Sequence, residues 1–555
     1  MLGLSVNAMR GGAALEPIQV SAVTALLDES AAHHPDRPAM EFMGRRWTYR
    51  AFDTLVSRAA RGLQDLGLGR GDRVGLCLPN TPYFMVLYYA VLRAGGVVVN
   101  YNPLYVEREL LHQVKDSGTT IMAVPDLAAI HGKVAAVAAE GGLRHIVVCP
   151  LAGVLPPLKS AAYRVAKRRE TARIPRDGTH LSFGRLVASA VPPDPVAIEP
   201  ERDVAVLQYT GGTTGVPKGA MLTHANLTAN ARQVTMHMSG LIRGGERVLA
   251  VLPLFHVFAM TTVMNFAVGM AAEVILQPRF VLDDVMRAIE RQRITIFHAV
   301  PTIYGAINQA AEGKTRDLTS IKVCISGGAP LPGEVGDRFV QLTDCKLVEG
   351  YGLTEASPTV ACNPPDGVIR PGTVGIPMHG TGVEIRDPAA PHAVLPAGER
   401  GEVCVRGPQV MAGYWGRPAD TASVFVDGAL RTGDIGVLDA DGYLSIVDRI
   451  KDVILCGGYN VYPRVLEEAL YQHPAVADAV VIGVPDAYRG QAPKAFVVLR
   501  GGHEATPEAL REHLAGYVSK IEMPREVEIR ASLPKTMVGK LSKKELVEEE
   551  AGRAG

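Results

Sequence analysis

From Val20 to about Pro150 the chain alternates between short β-branched runs and helical patterns: DRVGLCLP, then YFMVLYYAVLRAG, then VVVNYNPLY. That alternation predicts βα units and a largely parallel sheet, because parallel neighbours need a crossover connection, usually a helix. The rhythm returns in ITIFHAVPTIYGAI and IKVCISGGAPLP. From Gly372 to Leu444 the texture changes to short strands broken by glycine, as in VGIPMHGTGVEIRD, GEVCVRGP and GYLSIVD, which predicts a β-rich subdomain. After Asp448 the chain reads as a compact α+β unit, with helices in VLEEALYQHPAV and PEALREHLAGYV and strands in DAVVIGVPD and KAFVVLR. The expected fold is α/β: a large N-terminal domain of βα subdomains plus a β-rich subdomain, and a small α+β C-terminal domain. At 555 residues the chain is too long for one ordinary core. The reading divides it into a flexible leader (1–19), a large domain (20–448), a connection (449–452) and a small domain (453–555).

Composition narrows the partners. Lysine plus arginine (57) equals aspartate plus glutamate (57), so no global field draws the protein to nucleic acid. One local exception runs from Lys159 to Arg176, KSAAYRVAKRRETARIPR, with seven basic residues and one acidic. It is read as a basic helix, either solvated or touching an anionic membrane. The seven cysteines show no CxxC pair or metal spacing, as expected of reduced thiols in a cytoplasmic protein. The N-terminus lacks the continuous apolar core of a signal peptide. Val248 to Ala272 holds no Asp, Glu, Lys or Arg, but Pro253, His256, Asn265 and Gly269 interrupt it. A buried strand, turn and core helix is expected there in place of a span. The location expected is therefore cytoplasmic; of the two readings of 159–176, the membrane one adds peripheral contact at the inner membrane face.

The chemistry begins at YTGGTTGVPKG, Tyr209 to Gly219, between the strand-like DVAVLQ and the helix-like start MLTHANL. A Walker A loop places lysine directly after its last glycine. Here Val216 and Pro217 separate Gly215 from Lys218, and Pro217 removes a backbone donor. What remains is a loop of Thr210, Gly211, Gly212, Thr213, Thr214 and Gly215 ending in a cation, suited to a phosphate by itself and no more specific than that.

Four further segments sharpen it: YGLTEAS (351–357), LRTGDIG with Asp434, DRIKDVILCGGYNVYP, and PKTMVGK (534–540). With these in order the chain resembles the adenylate-forming enzymes, namely acyl-CoA synthetases, luciferases and peptide-synthetase adenylation domains. It is most similar to bacterial long-chain fatty acid–CoA ligases, over roughly residues 20–545. TGGTTG and NPLYVERELLHQVKDSG fit that branch.

The resemblance implies roles. ATP, Mg²⁺ and coenzyme A are the expected cofactor and cosubstrates, and a fatty acid is the substrate. The large domain becomes an AMP- and acyl-binding domain. Tyr351 would stack on adenine, with Gly328, Ala329 and Pro330 as the opposite wall. Asp434 would accept hydrogen bonds from the ribose hydroxyls, and Arg449 would add a ribose or phosphate contact. Glu355 would hold Mg²⁺ with help from Thr210, and Thr354 would bond the α-phosphate. Lys540 would stabilise the meeting of a carboxylate with the α-phosphorus. His256, in PLFHVF, would border the carboxylate and acyl pocket.

The resemblance also implies a small domain that rotates between two poses, one for adenylation and one for thioester formation. Arg449–Asp452 matches the family hinge, with Lys451 at the pivot. Gly457 and Gly458 would face the acyl-adenylate in the second pose and leave room for the pantetheine arm. Alternatives stay open at this point: an acyl-AMP ligase loading a carrier protein, a CoA ligase for an aryl or short-chain acid, a luciferase-like oxygenase, or a lipid- or nucleotide-binding module with decayed activity. The insertion typical of acyl-AMP ligases has no obvious counterpart after Ile376. Assembly into an oligomer is compatible with all of this.

Overall fold

A computed structural model describes residues 18–210, 217–238, 240–311, 316–457, 459–486, 488–536 and 540–554. Residues 1–17 of the leader, Gly211, Gly212, Thr213, Thr214 and Gly215 of the loop, and Gly458 lie outside the described residues.

The alternating N-terminal half builds an eight-stranded sheet. Six strands run parallel in the spatial order Val204–Thr210, Val97–Asn100, Arg73–Leu76, Ile121–Pro125, His145–Cys149 and His180–Ser182. At one edge the chain reverses: Lys218–Thr223 and Gly413–Tyr414 pair antiparallel beyond Val204–Thr210. Crossover helices cover the sheet. In Tyr49–Asp65 the side chains of Phe52, Val56, Ala59, Ala60 and Leu63 are buried along one stripe at helical spacing, and the Thr48 hydroxyl accepts from Ala51 N at its start.

Pro38–Phe42 and Glu273–Leu276 lie parallel in a second sheet, flanked by Arg247–Ala250 and Arg45–Thr48. Single bridges through Ile296 connect Val248 to Val323 and thus to the strands Val323–Ser326 and Lys346–Gly352. ITIFHAVPTIYGAI was expected to open with a strand, but Ile296 and Ala299 make only isolated bridges before the helix Pro301–Ala311. The glycine-punctuated segment forms an antiparallel five-stranded sheet that includes Gly382–Arg386, Arg400–Arg406, Ala429–Leu438 and Leu444–Arg449. The small C-terminal domain is a five-stranded sheet with helices Pro463–Tyr471, Pro507–Leu514 and Lys544–Ala554.

Two expectations are refined. Val248–Ala272 folds as strand, turn and buried helix, and the helix carries a π-turn over Met260–Asn265. Among the described residues no helix is long and apolar enough to cross a membrane. The basic run is helical only over Pro157–Ala166. Beyond it the chain turns back, Ala128 N donating to Glu170 O and Thr171 bridging Leu127, and these contacts replace further helical turns.

Candidate active site

The edge hairpin sets the first part of the site. Thr210 and Lys218 are register partners across the antiparallel strands Val204–Thr210 and Lys218–Thr223. The helix His224–His237 follows directly, and Thr223 and Asn226 form a reciprocal capping box at its N-terminus. Lys218 Nζ sits 2.9 Å from Asp420 and over the Tyr414 ring. Its ammonium is thereby aimed, with a carboxylate neighbour that the sequence reading did not foresee.

Tyr414 also reaches the second part. Its hydroxyl donates to Glu355 Oε1 at 2.8 Å, and Met411 N donates to the Glu355 carbonyl. Thr354 and Glu355 sit in a short 3-10 turn directly after the strand Lys346–Gly352. Gly352 is required at that corner, since a Cβ there would lie 2.2 Å from the Pro358 carbonyl. A carboxylate accepts at both oxygens, so Glu355 keeps acceptor capacity beyond the Tyr414 bond. Its chemistry suits a hard divalent cation; Thr210, the second oxygen expected from the sequence, lies at the register position opposite Lys218.

The third part joins three distant segments. Tyr351 Oη donates to Asp434 Oδ2 at 2.5 Å, although the two residues are 83 apart in the chain. Asp434 pairs in register with Arg449, whose Nε lies 3.4 Å from Oδ1. Burial raises the Asp434 carboxyl above its ordinary range, while Arg449 and the Tyr351 hydroxyl pull it back down. The result is a buried, pre-aimed acceptor beside an aromatic face.

Lys540 enters this cluster from the small domain. A Cβ on Gly328 would meet Lys540 Cε at 2.5 Å, and Gly328 adopts φ +84, so glycine is needed there on both counts. The Thr536 hydroxyl accepts from Lys540 N, and the Lys540 carbonyl accepts from Thr536 N, so two bonds to Thr536 hold the lysine backbone. Burial pulls the Lys540 amine down to about 8, with Arg449 lowering it further and Asp434 opposing. His256 caps the helix Val257–Ala259, its Nδ1 accepting from Phe258 N. Burial first, and the Lys540 charge second, lower its ring to about 3, so the imidazole is neutral at ordinary pH. Phe258, two residues on, is where a Cβ on Gly327 would make contact, so the 256–258 turn abuts the 327–330 loop.

The structure therefore brings together Tyr351, Asp434, Arg449, Lys540, Gly328 and His256, with Ala329 and Pro330 following Gly328 in the same loop. Thr210, Lys218, Thr354 and Glu355 form the adjoining group. Lys451 and Gly457 are placed otherwise. Lys451 is exposed in the 3-10 turn Ile450–Asp452. Gly457, with φ +60, faces Ile521 within the small domain and donates its N–H to Arg489 O.

Several neighbours escaped the sequence reading. Tyr414 and Asp420 orient Glu355 and Lys218. Gln208 donates to Phe255 O and accepts from Asn100 Nδ2, tying the hairpin to the His256 turn. Glu349 lies two residues before Tyr351, with Leu331 N donating to its Oε1. Burial lifts its carboxyl to about 7, opposed by the charge of Arg464. Glu349 and Gln208 adjoin recognised segments, in VEGYG and DVAVLQ, whereas Tyr414 and Asp420 carried no such signal.

Comparison with known proteins finds relatives along most of the chain. The family model described as AMP-binding enzyme matches residues 27–415, and that of the AMP-binding enzyme C-terminal domain matches 465–540. A long-chain-fatty-acid–CoA ligase of Bacillus subtilis (strain 168) is 41% identical over 541 residues, spanning 96% of this chain and 95% of the relative. ATP-bound MatB from Rhodopseudomonas palustris superposes with a TM-score of 0.84 at 29% identity, covering 96% of this chain and 99% of MatB. The anthranilate CoA ligase AuaEII, solved with anthranoyl-AMP, gives 0.84 at 26% identity, covering 97% and 99%.

Proposed function

Since the chain belongs to the AMP-binding enzyme family and is an adenylate-forming acyl-CoA ligase, we propose that the acid it activates is a medium- to long-chain fatty acid. The overall reaction is fatty acid + ATP + CoA giving acyl-CoA, AMP and pyrophosphate. The observation that carries the site assignment is Lys540 of the small domain lying against Gly328 beside the Tyr351–Asp434 pair. The chain-length reading rests on the ligase of Bacillus subtilis. The buried apolar segment 248–272, which contains His256, supports it as one wall of an acyl tunnel.

In this reading Tyr351 and the 328–330 loop sandwich adenine, and Asp434 accepts from the ribose hydroxyls. Lys218 and the loop at 210–215 hold the departing pyrophosphate. Mg²⁺, held by Glu355 with Thr210, supplies neutralisation of phosphate charge when bound. Thr354 orients the α-phosphate. Neutral His256 borders the acid without adding a competing positive charge. The acid's carboxylate oxygen attacks the α-phosphorus, the bond to the β-phosphate oxygen breaks, and Lys540 offsets the negative charge gathered there. In the second step the CoA sulfur attacks the acyl carbon and AMP leaves. For that step the small domain turns about Arg449–Asp452 and brings Gly457 and Gly458 to the acyl-adenylate.

A panel of C2 to C20 and aryl acids, scored by pyrophosphate release with and without CoA, tests the acid and the acceptor together. Highest turnover with the medium- to long-chain acids and CoA is the expected result. A preference for aryl acids, the class named for AuaEII, overturns the fatty-acid reading. Release without CoA acylation points instead to carrier loading. The hinge makes its own prediction. Lys451→Pro restricts φ at the pivot, so the coupled reaction is expected to drop several-fold more than acid-dependent ATP–pyrophosphate exchange. Unimpaired turnover removes the hinge assignment.

The same reading includes contact with an anionic membrane, working from the cytoplasm. All seven cysteines are free and buried, which supports a reducing compartment. The helix Pro157–Ala166 buries no residue. Leu158, Ala161, Ala162 and Val165 share one face at helical spacing, and Leu158 and Val165 are 87% and 81% exposed. Lys159 Nζ donates to the carbonyl of exposed Met43 at a neighbouring hairpin tip. An apolar stripe rimmed by Lys167, Arg168 and Arg169 fits an anionic bilayer. Neutralising those three residues is expected to weaken binding to phosphatidylglycerol vesicles about tenfold or more at low salt, less at high salt. Leu158→Glu with Val165→Glu should weaken it at both. Unchanged vesicle binding in both variants leaves a solvated helix.

A further inference from the structure

The hydrophobic cores of the two domains are separate. Among the described residues, the clusters of the large domain draw on residues up to Ile446, and those of the small domain on residues from Ile454 onward, with none shared. Docking across the seam therefore rests on polar contacts. Arg500 makes a fork-on-fork pair with Glu334, NH1 to Oε1 at 2.7 Å and NH2 to Oε2 at 2.6 Å. Its third guanidinium nitrogen donates to the Val476 carbonyl, so the fork is fixed to the small-domain sheet before it meets its partner. Glu334 lies in the first turn of the helix Gly333–Thr343, directly after the 328–330 loop that touches Lys540. Two further interactions cross the seam: Arg400 of the large domain stacks over Tyr462 of the small, and the charge of Arg464 acts on buried Glu349 without a direct bond. In the Arg500–Glu334 pair and the Arg464–Glu349 interaction alike, the carboxylate belongs to the large domain and the guanidinium to the small one.

We propose that Arg500 and Glu334 are positioning residues: they form a clasp that holds the small domain in the pose with Lys540 inserted, and it opens before thioester formation. This rests on the two-pose reading above. A bidentate pair that remains partly exposed suits the task. It is strong enough to bias a docking equilibrium and weak enough to break within each turnover, since exposed pairs shift equilibria by no more than about fivefold.

The test uses the full-length enzyme carrying Arg500→Glu, Glu334→Arg, or both. Each single reversal is expected to lower acid-dependent ATP–pyrophosphate exchange about three- to fivefold, while CoA acylation from supplied acyl-AMP is unchanged or faster. The double reversal, which rebuilds the pair with its charges exchanged, should restore at least half of the lost exchange. A fluorophore pair on Val340→Cys and Glu504→Cys, practical because the native cysteines are buried, should lose transfer efficiency in the single reversals and regain it in the double. Loss confined to the adenylate-forming half-reaction separates a clasp from simple damage to the fold. Equal loss in both halves, no rescue, or unchanged transfer efficiency overturns the proposal. If that happens while Lys451→Pro still impairs the coupled reaction, the clasp falls and the two-pose reading stands. If Lys451→Pro is silent as well, both fall.

Discussion

Lys540→Ala is expected to slow acyl-adenylate formation by about 100- to 1,000-fold, the usual cost of removing a fixed charge from a developing anionic transition state. CoA acylation from supplied acyl-AMP should survive, because in the proposed two-pose cycle Lys540 serves only the adenylate-forming pose. Two measurements check this: acid-dependent ATP–pyrophosphate exchange, and thioester formation from synthetic acyl-AMP. Equal damage to both would count against the assignment. The structure adds a pH signature. Burial holds the Lys540 amine down at about 8, well below an ordinary lysine. The charged form is the active one, so kcat/KM, which reports free-enzyme groups, should be level below about pH 8 and fall above it. Lys540→Arg stays charged throughout, so whatever activity it retains should lack that alkaline limb. Persistence of the same limb in Lys540→Arg would assign it to another group.

Asp434→Asn is expected to lower kcat/KM for ATP by about 10- to 150-fold, with most of the loss in KM. The carboxylate is buried, receives the Tyr351 hydroxyl and faces Arg449. Asparagine keeps the shape but replaces one acceptor oxygen by a donor and removes the charge. A hydrogen bond to a charged group contributes about 1.5–3 kcal/mol, which corresponds to the stated range. Tyr351 can still donate to the remaining oxygen, so folding should be little affected and thermal unfolding serves as the control. A fall in kcat with KM for ATP unchanged would move Asp434 from ribose binding to the chemical step.

Much of the fold was legible because its signals are local. The βα alternation, the glycine-broken strands after Gly372 and the α+β pattern after Asp448 all depend on spacing within a few residues. Errors arose where long-range contacts overrode local pattern. The segment at Ile294–Ala299 has strand-forming residues but makes only single bridges. The basic run leaves the helix after Ala166 because Glu170 and Thr171 bond back to the 127–128 segment. Within the site, Tyr351, Glu355, Asp434 and Lys540 stood out through their motifs. Tyr414, Asp420, Glu349 and Gln208 did not, since each acts through a partner far along the chain.

The linear chain determined which chemical groups are available and in what order: a loop that rejects the Walker geometry, an aromatic residue near a threonine and a carboxylate, and a lysine near the end. These are properties of residue type and short spacing. Only the tertiary structure decided that Lys540 lies against Gly328, that its amine sits near 8, that His256 is neutral and that Arg500 grips Glu334. Charge state and pairing depend on burial and on neighbours brought from distant segments, and neither is encoded in any short stretch of sequence.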